Sequence, residues 1–236
     1  MQNKVYKNKP ASFNNTTSII NKPQIQIAGI TNINDAIMCA ENGVDIIGLL
    51  VGQKHNSTEF ISKELAKEIK QHLPNNIKTT LITHLEEAAP IIDYAKYINV
   101  DYIQLHSNII ESEVEKITKA LPNTKLIRVI HILQDGTILT DLTKIKYADF
   151  YITDSINLQT NQVGGTGLPH DYNIDKQLVK KLNKPVFIAG GLTPTNVKEV
   201  VKLCQPYGVD VNSGCRGKNG LRDQKKVIQF VKNVKY

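Results

Sequence analysis

Two short stretches, "AGGLTPTNV" (189–197) and "NSG" (212–214), place glycines directly after apolar runs of β type. Bare backbone N–H groups in such turns can approach an anion closely, and a helix starting nearby adds its amino-terminal dipole. Singly, either stretch is as readily a tight turn. Together they point to a phosphate held by Gly190, Gly191, Ser213 and Gly214. Other apolar runs end in groups that can move protons: Asp154 in "ITDS", His84 in "LITH", His106 in "IQLH" and Asp210 in "VDVN". An acid and a base facing one anion site are the means of proton transfer on a phosphorylated substrate. Each alone would equally serve as a helix cap, a solvated acid or a histidine bonded to a backbone carbonyl.

These residues need elements to hold them. Eight strand-like runs follow one another: "QIQIA" at 24, "DIIGLL" at 45, "KTTLIT" at 78, "DYIQL" at 101, "KLIRVIHI" at 125, "DFYIT" at 149, "PVFIA" at 185 and "VDVN" at 209. Between them lie segments of helical apolar spacing, among them "INDAIMCAENG", "SKELAKEIKQHL" and "ESEVEKITKAL". Asn34, Ser62 and Thr193 stand ahead of helical runs as caps, with Pro194 as a first helical residue. A fifth helix is expected within "DGTILTDLTKIKYA", the least marked of the set. Eight β/α units in 236 residues predict an α/β fold, a single (β/α)8 TIM barrel over residues 23–236, since such barrels need about 250 residues. The candidate residues then gather at one mouth, because barrel active sites form at the carboxyl ends of the strands.

Residues 1–22 read as a flexible polar extension: Lys4, Lys7, Lys9 and Lys22 with no acid, +4 of the net +7. The basic excess is therefore partly a tail effect. Without a clustered basic face, nucleic-acid binding is not expected. No run approaches the ~20 apolar residues of a membrane helix, and the amino terminus lacks the apolar core of a secretory signal. Cys39, Cys204 and Cys215 have no metal-ligand spacing and read as reduced thiols, so a cytoplasmic protein without disulfide or structural metal is expected. "VGGTGLPHDY" (163–172) is long for a βα loop, and its glycines around Thr166 suit a flap closing on a ligand.

Taken in series, "IAGITNINDAIMCAENGVDIIGLL", "DYIQLH", "TDS", "GGTG", "IAGGLTPTNV" and "VDVNSG" make residues 24–232 resemble the phosphoribosylanthranilate isomerase family of tryptophan and aromatic amino acid biosynthesis. The resemblance implies a (β/α)8 fold and a cofactor-free Amadori rearrangement, in which an acid protonates the furanose ring oxygen and a base removes the C2 proton. By position it implies Asp154 as the acid and Gly191, Ser213 and Gly214 as phosphate ligands. His106, Asp210 and Gly165 fall at substrate-binding positions. A small phosphorylated sugar is the implied partner, with the protein a monomer or homodimer.

Three positions depart from the family. Its strand-one "KICGIT", whose cysteine is the base, is here "QIAGIT", placing Gln26 at the lysine and Ala28 at the cysteine. Its "SPRYVS", whose arginine holds the anthranilate carboxylate, is here "STEFIS", presenting Glu59. His84 is the expected substitute base, ahead of His170 and Cys215, and Lys54 and His55 are further candidates for an anion contact. Two other readings stand beside the isomerase: a paralogue acting on a different phosphorylated ribosyl amine, and a non-catalytic phosphosugar-binding protein.

Overall fold

The computed structural model describes residues 22–52, 58–156 and 170–236. Eight strands alternate with helices: β1 (Gln24–Ile27), α1 (Ile33–Glu41), β2 (Ile46–Leu50), α2 (Lys63–His72), β3 (Lys78–Thr83), α3 (Ala88–Ile98), β4 (Tyr102–Leu105), α4 (Glu111–Ala120), β5 (Lys125–Ile132), β6 (Phe150–Ser155), α5 (Tyr172–Lys181), β7 (Val186–Ile188), α6 (Val197–Cys204), β8 (Gly208–Val211) and α7 (Gln224–Lys235). All eight strands pair in parallel, and β8 returns to β1, closing the barrel. Closure leaves no free strand edge. No helix among the described residues is long and apolar enough to cross a membrane.

Strand alternation sorts the side chains into two layers. Outward-facing Ile25, Ile27, Ile47, Leu49, Ile103 and Val209 pack with the buried stripes of the helices in the main core. Inward-facing Ile46, Ile127, Val129, Ile152, Phe187 and Ala189 form a second cluster that fills the barrel. Above this cluster the interior turns polar. The Thr80 hydroxyl donates to Gln26 Oε1 at 2.7 Å, and Gln26 Nε2 donates to Gln104 Oε1 at 2.9 Å. Burying these amides is affordable only because each finds a partner.

Ser62 caps α2 as expected, its hydroxyl accepting from Leu65 N at 3.1 Å. The cap of α1 is Asn32 rather than Asn34, with Asn32 Oδ1 accepting from Asp35 N at 2.8 Å. Thr193 caps a turn just ahead of α6: its hydroxyl accepts from Asn196 N, and α6 begins at Val197. Pro194 lies in that turn.

The fifth helix does not form. Asp135-Gly136 turns the chain back, with Gly136 at φ 87°, and Leu139 N donates to His131 O at 2.9 Å. The returning segment thus spends its backbone on β5, leaving only a 3-10 turn at Leu142–Lys144. An Asp-Gly pair flanked by β-branched residues is a hairpin signal.

Candidate active site

The carboxyl ends of the strands bring Asp154, Asp210, His84, His106 and both glycine turns to one mouth. Asp154 (β6) and Asp210 (β8) are 6% and 8% exposed, and the Asp154 charge raises the cost of ionising Asp210. Burial, followed by the Asp154 charge, pushes the Asp210 carboxyl up to about 7, opposed by a hydrogen bond from Gln26 and the charge of Arg222. Asp210 Oδ1 is buried and without a hydrogen-bond partner among the described residues.

Three imidazoles line the arc from β3 to β5, where His131 is the register partner of Asp154. His84, just past β3, lies with its ring 5.5 Å from that of Phe60 and 5.3 Å from that of His106, and His131 (β5) continues the row 6.3 Å beyond. Burial and then its two histidine neighbours hold His106 well below the ordinary imidazole value, and burial lowers His131. Both are therefore neutral near pH 7. The buried amide chain sets the His106 tautomer: Gln104 Nε2 donates to His106 Nε2 at 2.6 Å, which leaves the ring proton on Nδ1, an atom with no partner among the described residues. His131 escaped the sequence reading although "KLIRVIHI" ends next to it; inward parity at a strand end was the available signal. The described residues contain no group of three or more His, Cys, Asp or Glu arranged to hold a metal ion.

The two glycine turns pack on each other. Gly190 and Gly191 have φ of 83° and 68°, conformations that favour glycine. A Cβ on Gly214 would stand 2.0 Å from the carbonyl oxygen of Leu192, so only a residue without one lets the turns after β7 and β8 meet. Tyr172 reinforces them by donating to Gly190 O at 2.8 Å.

Two arginines that the sequence reading passed over organise the β8–β1–β2 side. Arg222, largely buried, donates to the carbonyls of Ala28 (2.7 Å), Gly29 (2.6 Å) and Asn212 (2.6 Å), tying the first turn to the last. Arg216 pairs with Glu59 and donates to Asn212 Oδ1 at 2.9 Å, while Asn212 Nδ2 donates to Glu59 Oε2 at 2.9 Å. The negative charge read at position 59 is thus matched by a guanidinium from the β8 side.

Ala28 itself packs with Leu50, Ile82 and Phe60 in a small apolar cluster. His170 does not reach the mouth: its fully buried ring bonds Ser155 Oγ (2.8 Å) and Asp175 Oδ2 (2.6 Å), outside the barrel wall. The serine, histidine and aspartate have hydrolase-like order, but all are sealed from solvent. Cys215 is also fully buried, its thiol pushed up to about 12 by burial, which makes it a poor proton acceptor. Gly165, Thr166, Lys54, His55 and residues 1–21 of the amino-terminal extension lie outside the described residues.

The family profile described as "PRAI: N-(5'phosphoribosyl)anthranilate (PRA) isomerase" matches residues 25–233. The chain belongs to the phosphoribosylanthranilate isomerase family. It is 40% identical over 212 residues to N-(5'-phosphoribosyl)anthranilate isomerase 2 of Methanosarcina mazei, covering 90% of this chain and 94% of that one. To the isomerase of Aquifex aeolicus it is 34% identical over 213 residues, covering 90% and 98%. Among solved structures, the phosphoribosylanthranilate isomerase of Thermotoga maritima superposes with a TM-score of 0.75 at 25% identity, over 90% of this chain and 98% of that one. Another family structure, holding reduced 1-(o-carboxyphenylamino)-1-deoxyribulose 5-phosphate, superposes with a TM-score of 0.72 at 24% identity, with the same coverage.

Proposed function

We propose that this protein is a phosphoribosylanthranilate isomerase of tryptophan biosynthesis, acting in the cytoplasm as a monomer or homodimer and converting the aminoaldose phosphate to its 1-deoxyribulose 5-phosphate. The observation that carries the reading is the meeting, at one barrel mouth, of two buried carboxylates with two interlocked glycine turns. Gly190, Gly191, Ser213 and Gly214 hold the phosphate, and Asp154 protonates the ring oxygen as the furanose opens. His106 presents its Nδ1–H to the substrate, and Gly165 joins the substrate contacts. His84 and Asp210 are the two groups at the mouth that can take the C2 proton. Arg216, held by Glu59 and Asn212, meets the anthranilate carboxylate, a charge-assisted contact of the kind that fixes orientation.

A binding-only reading draws on Ala28, which sits in an apolar cluster under Phe60. Complementation separates the two. The gene should restore growth of a tryptophan auxotroph lacking the isomerase, and its Asp154→Asn variant should not. Soluble wild-type protein that fails to support growth would favour the binding-only reading.

A further inference from the structure

Resting on the isomerase reading, we propose that Asp210 is the catalytic base that accepts the C2 proton, and that the uncharged Gln26 beside it is what fits it for the task. Asp210 stands one residue before Val211, whose carbonyl accepts from Ala28 N at 3.0 Å, so it occupies the strand next to the position left without a base. Gln26 is its register partner on β1. The carboxylate is 8% exposed, and its Oδ1 is buried with no hydrogen-bond partner among the described residues, an acceptor left open at the barrel mouth.

The charges around Asp210 decide its basicity. From β6 it faces Asp154, and from the segment before α7 the Arg222 guanidinium, which is already committed to three backbone carbonyls. From β1 it faces Gln26, and β4 and β5 bring only histidines lowered by burial. β7 contributes Phe187 and Ala189, which do not titrate. A lysine at position 26 would place an ammonium beside the carboxylate and hold it ionised and weakly basic. The amide leaves burial and Asp154 dominant, so the carboxyl reaches about 7. A base poised near the working pH is the more effective one.

The two carboxyls share one proton, which rests chiefly on Asp210, and the reactive form is the one in which it has moved to Asp154. Asp154 gives that proton to the ring oxygen as the C1–O bond breaks and the nitrogen lone pair forms C1=N. Asp210 takes the C2 proton; the C–H pair becomes C1=C2, and the C1=N π pair returns to nitrogen. The enol then loses its hydroxyl proton to Asp154 and gains one at C1 from Asp210, giving the C2 ketone and restoring both carboxyls.

The test uses purified full-length protein and N-(5'-phosphoribosyl)anthranilate, with and without deuterium at C2. Asp210→Asn should lose at least ~10²-fold in kcat while keeping its fold, and His84→Asn less than tenfold. Gln26→Lys should move the alkaline limb of the kcat/KM profile down by about one pH unit or more. Gln26→Met, which removes the hydrogen bond without adding charge, should move the limb up and keeps the comparison open if the lysine variant does not fold. An active wild type whose Asp210→Asn variant stays within tenfold, or whose Gln26 variants leave the limb in place, overturns the assignment and points to His84. A wild type that leaves the substrate unchanged overturns the isomerase reading, and the assignment with it.

Discussion

Glu59 and Arg216 pair across the barrel mouth, one leaving the loop after β2 and the other the turn after β8, with Asn212 bonded to both. A carboxylate substrate entering this side meets a cation fixed from β8 rather than one carried by the β2 loop. Like charges repel in a cleft, so Glu59 alone would oppose such a substrate. With Arg216 beside it, that charge is matched.

Arg216→Ala should therefore raise KM for phosphoribosylanthranilate by roughly tenfold to a hundredfold, the range of a lost hydrogen bond to a charged group, with a smaller change in kcat. Steady-state kinetics on the two parameters reads this directly. Inhibition by inorganic phosphate should be unchanged, and an equal weakening of phosphate would assign Arg216 to the phosphate site instead.

Asp210 makes stability depend on pH in a direction opposite to that of a salt-bridged acid. Its carboxyl lies at about 7 in the folded protein against an ordinary 3.8, so the folded state binds the proton more tightly than the unfolded chain does. The contribution is complete below about pH 4 and is lost as pH rises to about 7. The loss amounts to ~1.4 kcal/mol per pH unit. Asp210→Asn removes it, so the variant should melt roughly 10 °C or more above wild type at pH 8 and close to it at pH 4. Melting curves across this range check the claim, which fails if the difference does not change with pH.

The interlock of the two glycine turns predicts a steric effect. Gly214→Ala would push a methyl to within 2.0 Å of the Leu192 carbonyl oxygen, a contact that only backbone movement relieves. A cost of about 1–3 kcal/mol and a fall in melting temperature of several degrees are expected. Thermal stabilisation by inorganic phosphate should weaken in the same variant. A stable Gly214→Ala protein with unaltered phosphate response would show that the turns need not meet.

How much of this was legible beforehand differs from residue to residue. All eight strands stand where alternation and β-branched runs placed them, within a residue or two, because inner and outer faces of a barrel strand are both buried and leave a dense apolar signal. That Asp154, Asp210, His106 and the glycine turns share one end of the barrel was legible because each ends or follows a strand and the strands run in the same parallel sense. The missing fifth helix was written in Asp135-Gly136 but overlooked, and a boundary such as Asn32 against Asn34 turns on one side-chain bond.

The amino-acid sequence by itself determined the barrel and its family, since these depend on patterns repeated along the chain. Only the tertiary structure decided what surrounds the barrel mouth. Arg216 and Glu59 are 157 residues apart, as their numbering shows, and Gln26 and Gln104 meet across the barrel interior 78 residues apart. Local pattern carries no trace of either pairing. Charge compensation, tautomer and basicity follow from distance and burial, which barrel closure sets when it brings β8 against β1.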